Sequence, residues 1–523
     1  QSVLRRRGLG AAGRRGRLAA VRAAGLIAGT PPCRLPMRRD ASPLGWLLAL
    51  ALAMALLAGY RVWMLGHLGI DLFFDESQYW FWSTELAWGY YSKPPAIALL
   101  IGWSTALLGN DLLGVKAPAI VLNALSPLLA FAIGARLAGA RTGFLAALVV
   151  ATLPIVAGLA LFVTTDSPLI FFWLLGTWAL LRAIAHDRWR DWLLLGASVG
   201  LGLLSKYTMV AFGLSAALAL LVLPRGRMRL RSLRPWVAVL LALALFAPNV
   251  LWNAALGFPT FHHVAEITAE EASKGGLASL GEFAAAQWLL AGPVFGTVAL
   301  LGWLRLRRLF GDEGLVVLTL AAVPLGLIGL VQAWRGGANA NWAAPAVVVA
   351  ALYAVVLLGR AGRLRLIVGG LLLNLVAGSL VLHWPDVLHA VGYGMTARQD
   401  PYRRMRGWSE LMQPVEALAQ SRPGAMVVAD DRELLSQIAY YVQPARLAAW
   451  FPGGRRPANH YQLTRPLPAD WRGEVLLVHA HPRPDIVARF AGAQPLAVHV
   501  VPVQPGQERR IEVTLLTGFK GYR

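Results

Sequence analysis

The stretch LGWLLALALAMALLAGYRVWMLGHLGIDLFFDESQYWFWS, residues 44–83, joins a long apolar run to two adjacent acids that are surrounded by aromatic residues. Its apolar part, 44–64, has about the length that an α-helix needs to cross the hydrocarbon core of a membrane. The acids are Asp75 and Glu76, and the motif KPP follows them at 93–95. If the chain leaves a membrane after residue 64, these charged groups lie together at a membrane surface.

The composition is that of a membrane protein. Of the 523 residues, 57% are hydrophobic and only 15% are charged, and the mean hydropathy is +0.54. A soluble domain with this much apolar surface would aggregate. Apolar runs of suitable length recur along the chain and predict a polytopic membrane protein. They lie at 44–64, 95–109, 116–135, 142–163, 167–181, 191–204, 207–223, 236–251, 284–304, 315–333, 341–359 and 366–384.

The net charge of +22 does not indicate nucleic-acid binding, because the positive charge is unevenly distributed. Residues 1–36 hold eight arginines and no acid, mostly among Gly, Ala and Pro. We expect this segment to be upstream translation or a disordered leader, with a twin-arginine signal as the alternative, and the fold to begin at Met37. Cys33, the one cysteine, lies in this segment, so the rest of the chain has no thiolate nucleophile and no cysteine metal site.

The arginines predict the orientation of the spans. They cluster between apolar runs, and the positive-inside rule places such clusters in the cytoplasm. If the span 44–64 runs outward from the cytoplasm, an odd number of spans must follow it before the first arginine cluster. All five clusters are then cytoplasmic only when 95–109 is a juxtamembrane or re-entrant helix and does not cross the membrane. This count gives about eleven transmembrane helices, an external loop around Asp75 and an external C-terminus. The clusters lie at 136–141, 182–190, 225–234, 305–308 and 360–365.

The composition changes at about residue 385. Residues 37–384 form the predicted all-α membrane domain, and residues 385–523 contain no spanning run. The segments AMVVAD, EVLLVHA, LAVHVVP and RIEVTLL look like strands, and RELLSQIAYYV looks helical. We therefore predict a small α/β domain on the external (periplasmic) face.

The predicted external loops contain an unusual set of polar residues. A single lysine or arginine in an external loop goes against the positive-inside rule and is therefore a candidate for binding an anion. A lysine there can also snorkel to lipid headgroups. Asp75 and Asp166 can alternatively cap helices, and Tyr90 and Tyr91 can belong to an interfacial aromatic belt. The candidates are the acids Asp75, Glu76 and Asp166, the cations Lys93, Lys206 and Arg335, and the substrate-contacting residues Tyr79, Tyr90, Tyr91, His262, His263, Asn339 and Trp342.

Carboxylates, lysines and aromatics at an outer membrane surface suit the transfer of a sugar from a lipid phosphate. The phosphate is the leaving group, and a cation stabilises its developing charge. The acceptor hydroxyl is a weak nucleophile that needs a carboxylate as general base. No cofactor is predicted with certainty, but Glu76 and His263 could hold a divalent metal.

The motifs FDESQYWFWS, GYYSKPP, TTDSPL, GLLSKYT, PNVLWNAALGFPTFHH, ANWAAPA and DPYRRMRGWSEL occur in order, and YYVQ and ANHYQL follow. With these motifs, which cover about 40–480, the sequence resembles the GT-C membrane glycosyltransferases of family 39, the dolichyl-phosphate-mannose protein mannosyltransferase-like group. It is similar to the bacterial lipid A aminoarabinose and galacturonic acid transferases. The aminoarabinose enzymes have Glu and Arg where this chain has Ser92 and Gln78, which argues against that sugar and against a zinc site.

The resemblance implies an inverting transfer from a polyprenyl-phosphate sugar to an envelope acceptor (lipid A, core glycan, another lipid or protein) at the periplasmic face of the bacterial inner membrane. It implies that Asp75 is the base or the acid that positions the acceptor, with Glu76 beside it and Asp166 as a second acid. Lys93 and Lys206 match lysines that face the lipid phosphate.

Two other functions remain open from the sequence. An O-antigen ligase or polymerase would use a diphosphate donor, and a lipid-sugar transporter or flippase would use Asp166 and Lys206 as coupling charges. Transporters place such charges at the membrane midplane between repeats. The clustering of the charges at one surface favours an enzyme.

Overall fold

The structure, a computed structural model, describes residues 43–271, 274–305, 311–454 and 456–522. The expected leader, residues 1–36, lies outside these ranges. The part up to residue 390 is helical, as predicted. Its helices are α1 Pro43–Leu68, α2 Phe74–Thr84, α3 Ala96–Leu108, α4 Leu112–Ala138, α5 Ala140–Thr152, α6 Pro154–Leu159, α7 Asp166–His186, α8 Trp189–Ser205, α9 Val210–Val222, α10 Pro224–Arg229, α11 Arg234–Ala255, α12 Pro259–Glu271, α13 Leu277–Leu290, α14 Pro293–Trp303, α15 Glu313–Arg335, α16 Ala344–Arg360, α17 Leu364–Leu382 and α18 Trp384–Ala390.

Seven helices in the described ranges are long and apolar enough to cross a membrane, or eight if the bent pair α13–α14 is one span. They are α1, α4, α7, α11, α15, α16 with the turn before it, and α17. The sequence predicted about eleven spans. Part of the difference lies in α5 and in α9 with the turn before it, which are apolar but only 10–17 residues long. The short α3 agrees with the expectation that 95–109 is not a full crossing.

Two predicted spans are interrupted. The run 142–163 is divided into α5 and α6, because Leu153 is extended (φ −54°, ψ 138°) and Pro154 starts a new helix. The run 284–304 bends by 111° between α13 and α14. Gly292 has a positive φ of 76° there and is followed by Pro293. Both breaks have the local chemistry of a helix end, which hydropathy alone does not reveal.

The arginine clusters gather at one end of the helical bundle. Arg136 at the end of α4 contacts His186 at the end of α7, at 3.3 Å. Arg229 and Arg234 both pair with Asp187, just after α7. Arg360 at the end of α16 pairs with Asp312, the N-cap of α15. Two further ion pairs, Arg182–Asp191 and Arg225–Glu313, lie in the same region. These contacts involve four of the five clusters, namely 136–141, 182–190, 225–234 and 360–365.

The C-terminal part contains the predicted small sheet. All four predicted strands are present, and the structure adds β2, three residues long. The sheet order is β2-β1-β3-β5-β4, with β2, β1 and β3 parallel and β5 antiparallel to both β3 and β4. The elements are α19 Trp408–Ser421, β1 Met426–Ala429, α20 Arg432–Gln437, β2 Leu447–Ala449, α21 His460–Thr464, β3 Val475–His479, α22 Pro484–Val487, β4 Phe490–Gln504 and β5 Gln507–Phe519.

The predicted helix RELLSQIAYYV connects the sheet to the helical bundle. It begins as α20 and continues as a π-helical turn over Ile438–Val442. Gln437 accepts a hydrogen bond from Ser77 of α2 (2.8 Å) and donates one to the Leu72 carbonyl (3.1 Å). The hydroxyl of Tyr441 accepts from the Leu72 amide at 2.9 Å. The C-terminal part therefore holds the first turn of α2, where Asp75 and Glu76 lie.

Candidate active site

Asp75 lies in the first turn of α2 and faces the C-terminal part of the chain. Its Oδ1 accepts a hydrogen bond from Arg432 at 2.9 Å, and the Asp75 side chain is 34% exposed. The Arg432 guanidinium also lies over the Phe74 ring, 4.6 Å from its centroid, and reaches Gln78 Oε1 at 3.4 Å. Among the described residues, no donor is bonded to Asp75 Oδ2. Asp75 is therefore held in place while one oxygen remains available.

Glu76, the next residue, is in a different environment. Its two oxygens each lie 2.7 Å from the ammonium of Lys116, and both side chains are at most 1% exposed. Oε1 also accepts from the Val163 amide at 2.7 Å, and Oε2 accepts from the Phe73 amide at 2.9 Å. Both oxygens of this carboxylate are therefore engaged, and solvent does not reach it. This arrangement favours a structural role for Glu76, and its catalytic and metal-binding roles stay predictions.

Asp166 begins α7 and binds two other segments. Lys206 donates to Oδ1 at 2.7 Å, and Asn341 donates to Oδ2 at 2.8 Å. The Asp166 side chain is 2% exposed, whereas that of Lys206 is 14% exposed. Both oxygens of Asp166 are therefore occupied, and it is better placed to position the Lys206 ammonium than to take a proton.

Lys93 is the unusual cation of the group. It is partly buried, and within the described part of the chain no hydrogen bond or ion pair involves its ammonium. Burial lowers the pKa of Lys93, and the charge of Lys206 lowers it further, while Asp75 and Asp166 act in the opposite direction. Lys93 therefore lies close enough to Lys206, Arg432 and Asp75 for their charges to act on it. An unpaired, desolvated ammonium is expected to bind an anion.

The predicted tyrosines have different roles. Tyr79 is buried. Its burial, and then the charge of Asp75, raise the pKa of its hydroxyl. Tyr91 is 5% exposed, with its ring 4.9 Å from that of His263. Tyr90 is fully buried, stacks on Trp82 at 4.5 Å and donates to the Trp82 carbonyl at 2.8 Å. Tyr90 therefore supports the loop, and its expected contact with substrate stays a prediction.

The two histidines also diverge. His262 Nδ1 lies 3.0 Å from Arg456, away from the acids. His263 packs against Tyr91, and burial followed by the charges of Lys93 and Arg432 lowers its pKa to about 4. It is therefore neutral at neutral pH and lies close to these two cations. Glu76 and His263 do not belong to any group of three metal-capable side chains in the described ranges, so the structure offers no support for the proposed metal.

The remaining predicted residues, Arg335, Asn339 and Trp342, lie at the end of α15 and in the turn before α16. Arg335 and Asn339 are exposed, and Trp342 is partly buried. Within the described ranges, none of these three side chains forms a hydrogen bond or an ion pair with Asp75 or Lys93. The residue of this turn that reaches the site is Asn341, through Asp166.

Sequence reasoning did not find Arg432. It lies in the C-terminal part, 357 residues from Asp75 in sequence, and no motif indicates this contact. Lys116 stands at the start of the apolar run 116–135, and its carboxylate partner is 40 residues away. A basic residue at the edge of an apolar run can signal a buried partner, because an unpaired charge in a membrane is costly.

The site therefore offers one available carboxylate oxygen beside three cations. Such a site can bind an anionic leaving group and remove a proton from a nucleophile. No nucleotide-binding loop was found in the sequence. The remaining question is which known proteins share this arrangement.

Comparisons with known proteins identify the family. Residues 92–252 match the model for dolichyl-phosphate-mannose-protein mannosyltransferase. The chain is 31% identical over 432 residues to the lipid A galacturonosyltransferase RgtD of Rhizobium johnstonii, an alignment that covers 80% of this chain and 88% of RgtD. It is 35% identical over 123 residues to the undecaprenyl phosphate-alpha-4-amino-4-deoxy-L-arabinose arabinosyl transferase of Pseudomonas aeruginosa, over 22% of each chain.

The fold agrees with this result. The crystal structure of ArnT from Cupriavidus metallidurans bound to undecaprenyl phosphate superposes with a TM-score of 0.61 at 15% identity, and covers 91% of this chain and 98% of ArnT. The chain therefore belongs to the family of GT-C membrane glycosyltransferases that contains RgtD, and it is similar to the members that modify lipid A.

Proposed function

We propose that the chain transfers a galacturonic acid residue from a polyprenyl-phosphate donor to lipid A or a related envelope glycolipid, at the non-cytoplasmic face of the bacterial inner membrane. The observation that carries this proposal is the unpaired ammonium of Lys93 beside Asp75. An enzyme of this kind needs both a cation for a phosphate leaving group and a base for the acceptor.

In the proposed reaction, Asp75 Oδ2 takes the proton of the acceptor hydroxyl while the acceptor oxygen forms a bond to the anomeric carbon of the sugar. The bond between that carbon and the phosphate oxygen breaks, and the electron pair leaves with the polyprenyl phosphate. Lys93 and Lys206 stabilise the charge on the departing phosphate. Attack from the side opposite the phosphate inverts the anomeric carbon.

Arg432 and Asp166 are proposed as positioning residues for this reaction. Arg432 holds Asp75 Oδ1 at 2.9 Å and leaves Oδ2 available for the proton. Asp166 holds Lys206 at 2.7 Å and Asn341 at 2.8 Å. The two acids therefore have separate tasks, although the sequence presented them as equivalent.

The identity of the sugar is supported by the relatives. Three cations and two acids leave the site with one excess positive charge, which the singly charged phosphodiester of the donor balances. RgtD, named for galacturonosyl transfer, matches 80% of this chain, while the aminoarabinose transferase matches 22%.

The proposed side of the membrane rests on the two ends of the bundle. The arginine clusters meet at the end of α4, α7 and α16, whereas Asp166 and Asn341 lie at the opposite ends of α7 and α16. The positive-inside rule then assigns the arginines to the cytoplasm and the site to the periplasm.

A donor assay tests the proposal directly. Purified enzyme is given lipid A and undecaprenyl phosphate carrying galacturonic acid, aminoarabinose or a neutral hexose, and the product is identified by mass spectrometry. We expect transfer of galacturonic acid, and a loss of about two decades in rate for Asp75→Asn, the range of a general base. Glu85→Gln is the matched control, because Glu85 also pairs with an arginine of the C-terminal part, Arg465, and is exposed.

Other outcomes would favour the competing functions. Transfer only from diphosphate donors would indicate a ligase or polymerase. Movement of the lipid-linked sugar across vesicles without product would indicate a flippase. Wild-type turnover in well-folded Asp75→Asn would reject Asp75 as the base.

A further inference from the structure

A second polar cluster lies at the end of α1, apart from the residues of the candidate active site. His67 Nε2 lies 2.9 Å from Asp386 Oδ2, and His383 Nδ1 lies 2.8 Å from the same oxygen. His67 is in the last turn of α1, and the other two flank the junction of α17 and α18. One ligand atom from each residue lies within 4.8 Å of the others, and the three are exposed or partly exposed.

We propose that His67, His383 and Asp386 form a binding site for a divalent transition metal such as Zn²⁺. Two imidazole nitrogens and one carboxylate oxygen are ligands that Zn²⁺ prefers, and three protein ligands leave a fourth position for water. The exposure of the cluster provides a path for the ion. The chain belongs to a glycosyltransferase family whether or not this site exists, so the inference does not depend on the proposed function.

The surroundings of the histidines resemble those of metal ligands. His383 uses Nδ1 toward Asp386, and its Nε2 lies 2.7 Å from the hydroxyl oxygen of Tyr60. A ligating histidine usually donates its other ring N–H to such an oxygen, which fixes the ring and its tautomer. The His67 ring stacks on Trp63 with 4.7 Å between centroids and 14° between planes, so it is also oriented.

The electrostatics also favour a cation. Among the described residues, no lysine or arginine lies within ion-pairing distance of Asp386, whose partners are the two histidines. When Zn²⁺ binds, it replaces the protons that would otherwise lie between Asp386 and the histidines.

The location indicates what the metal would do. It would connect the end of the first candidate span, α1, to α18 just after the last one, α17. Six residues separate His67 from Phe74, the first residue of α2, which carries Asp75. A metal bridge would therefore fix the segment that leads into the candidate active site, as a link between distant parts of the chain.

Zinc binding to the purified full-length chain tests this inference. Protein treated with a chelator in detergent is titrated with Zn²⁺ against a fluorescent zinc indicator, and thermal unfolding is followed with and without Zn²⁺. We expect one Zn²⁺ per chain and a rise in Tm. Asp386→Asn and His67→Gln should each weaken binding by at least about tenfold and remove the rise. His389→Gln is the matched control, because His389 is an exposed histidine of the same helix, α18.

Two results would overturn the inference. The first is wild-type protein that binds no more Zn²⁺ than the His67→Gln/Asp386→Asn double variant. The second is a fall in Tm from wild type to Asp386→Asn that is the same size with Zn²⁺ as without it. That result would show that the three residues only hydrogen-bond to one another. Both readouts are independent of sugar transfer, so they remain informative if the proposed function fails.

Discussion

Glu76 and Asp75 are adjacent in sequence, and the structure predicts opposite effects when each is neutralised. Glu76→Gln removes the negative charge that faces Lys116, whose side chain is fully buried. Removing one partner of a buried ion pair leaves the other charge uncompensated and costs about 3–5 kcal/mol. Asp75→Asn instead alters a pair in which both side chains are more than a third exposed. Such a pair contributes about 0–1 kcal/mol, so this variant should fold normally.

The magnitude for Glu76 follows from its contacts. The Lys116 ammonium lies 2.7 Å from both carboxylate oxygens, and its other hydrogen-bond partner is the Leu161 carbonyl at 2.9 Å. In Glu76→Gln the amide retains only one acceptor oxygen, which cannot serve Lys116, Val163 and Phe73 together. Replacing both members, as in Glu76→Gln/Lys116→Met, removes the two charges and should recover much of the loss, because apolar replacement of a buried pair is often neutral.

The assay combines stability and turnover. Thermal unfolding in detergent is followed by tryptophan fluorescence, and sugar transfer is measured per folded molecule. We expect Glu76→Gln to be strongly destabilised, with near-normal turnover in its folded fraction, and Glu85→Gln to be unaffected in both. The reasoning is refuted if Glu76→Gln unfolds like wild type but loses decades of turnover, since Glu76 would then take part in the chemistry. A double variant as unstable as the single one would also contradict it.

The cations near Asp75 and the two ends of the bundle provide four more tests. Lys93→Ala should lower kcat/KM for the donor by about 10–100-fold, which corresponds to roughly 1.5–3 kcal/mol for a charged contact, whereas Lys93→Arg should keep most activity. Because burial lowers the pKa of Lys93, wild-type donor KM should rise at alkaline pH as the ammonium loses its proton, and KM of Lys93→Arg should not; equal profiles would contradict a phosphate contact. Arg432→Gln should reduce kcat with little change in Tm, and a wild-type kcat would exclude it from positioning Asp75. A reporter fused after Gly257 should behave as periplasmic and one after Arg229 as cytoplasmic, and the reverse pattern would move the site to the cytoplasm.

The sequence alone was sufficient for features that depend on local composition. Long apolar runs must be helical in a membrane, because no water is available there to bond free backbone groups. Short continuous apolar runs predicted the strands later found at Met426–Ala429 and Val475–His479. The helix breaks at Pro154 and Gly292 were missed because mean hydropathy does not register a single residue that ends a helix.

Only the tertiary structure separated the two acids of the opening stretch. Successive residues of an α-helix are turned by about 100°, so neighbours face different surroundings, and their order in the sequence does not say which is buried. Glu76 faces Lys116, 40 residues away, and Asp75 faces Arg432, 357 residues away. Contacts at such separations depend on how α4 and the C-terminal part pack against α2. The sequence therefore determined that two adjacent acids follow a membrane helix, and packing decided which carboxylate is buried and which stays partly exposed.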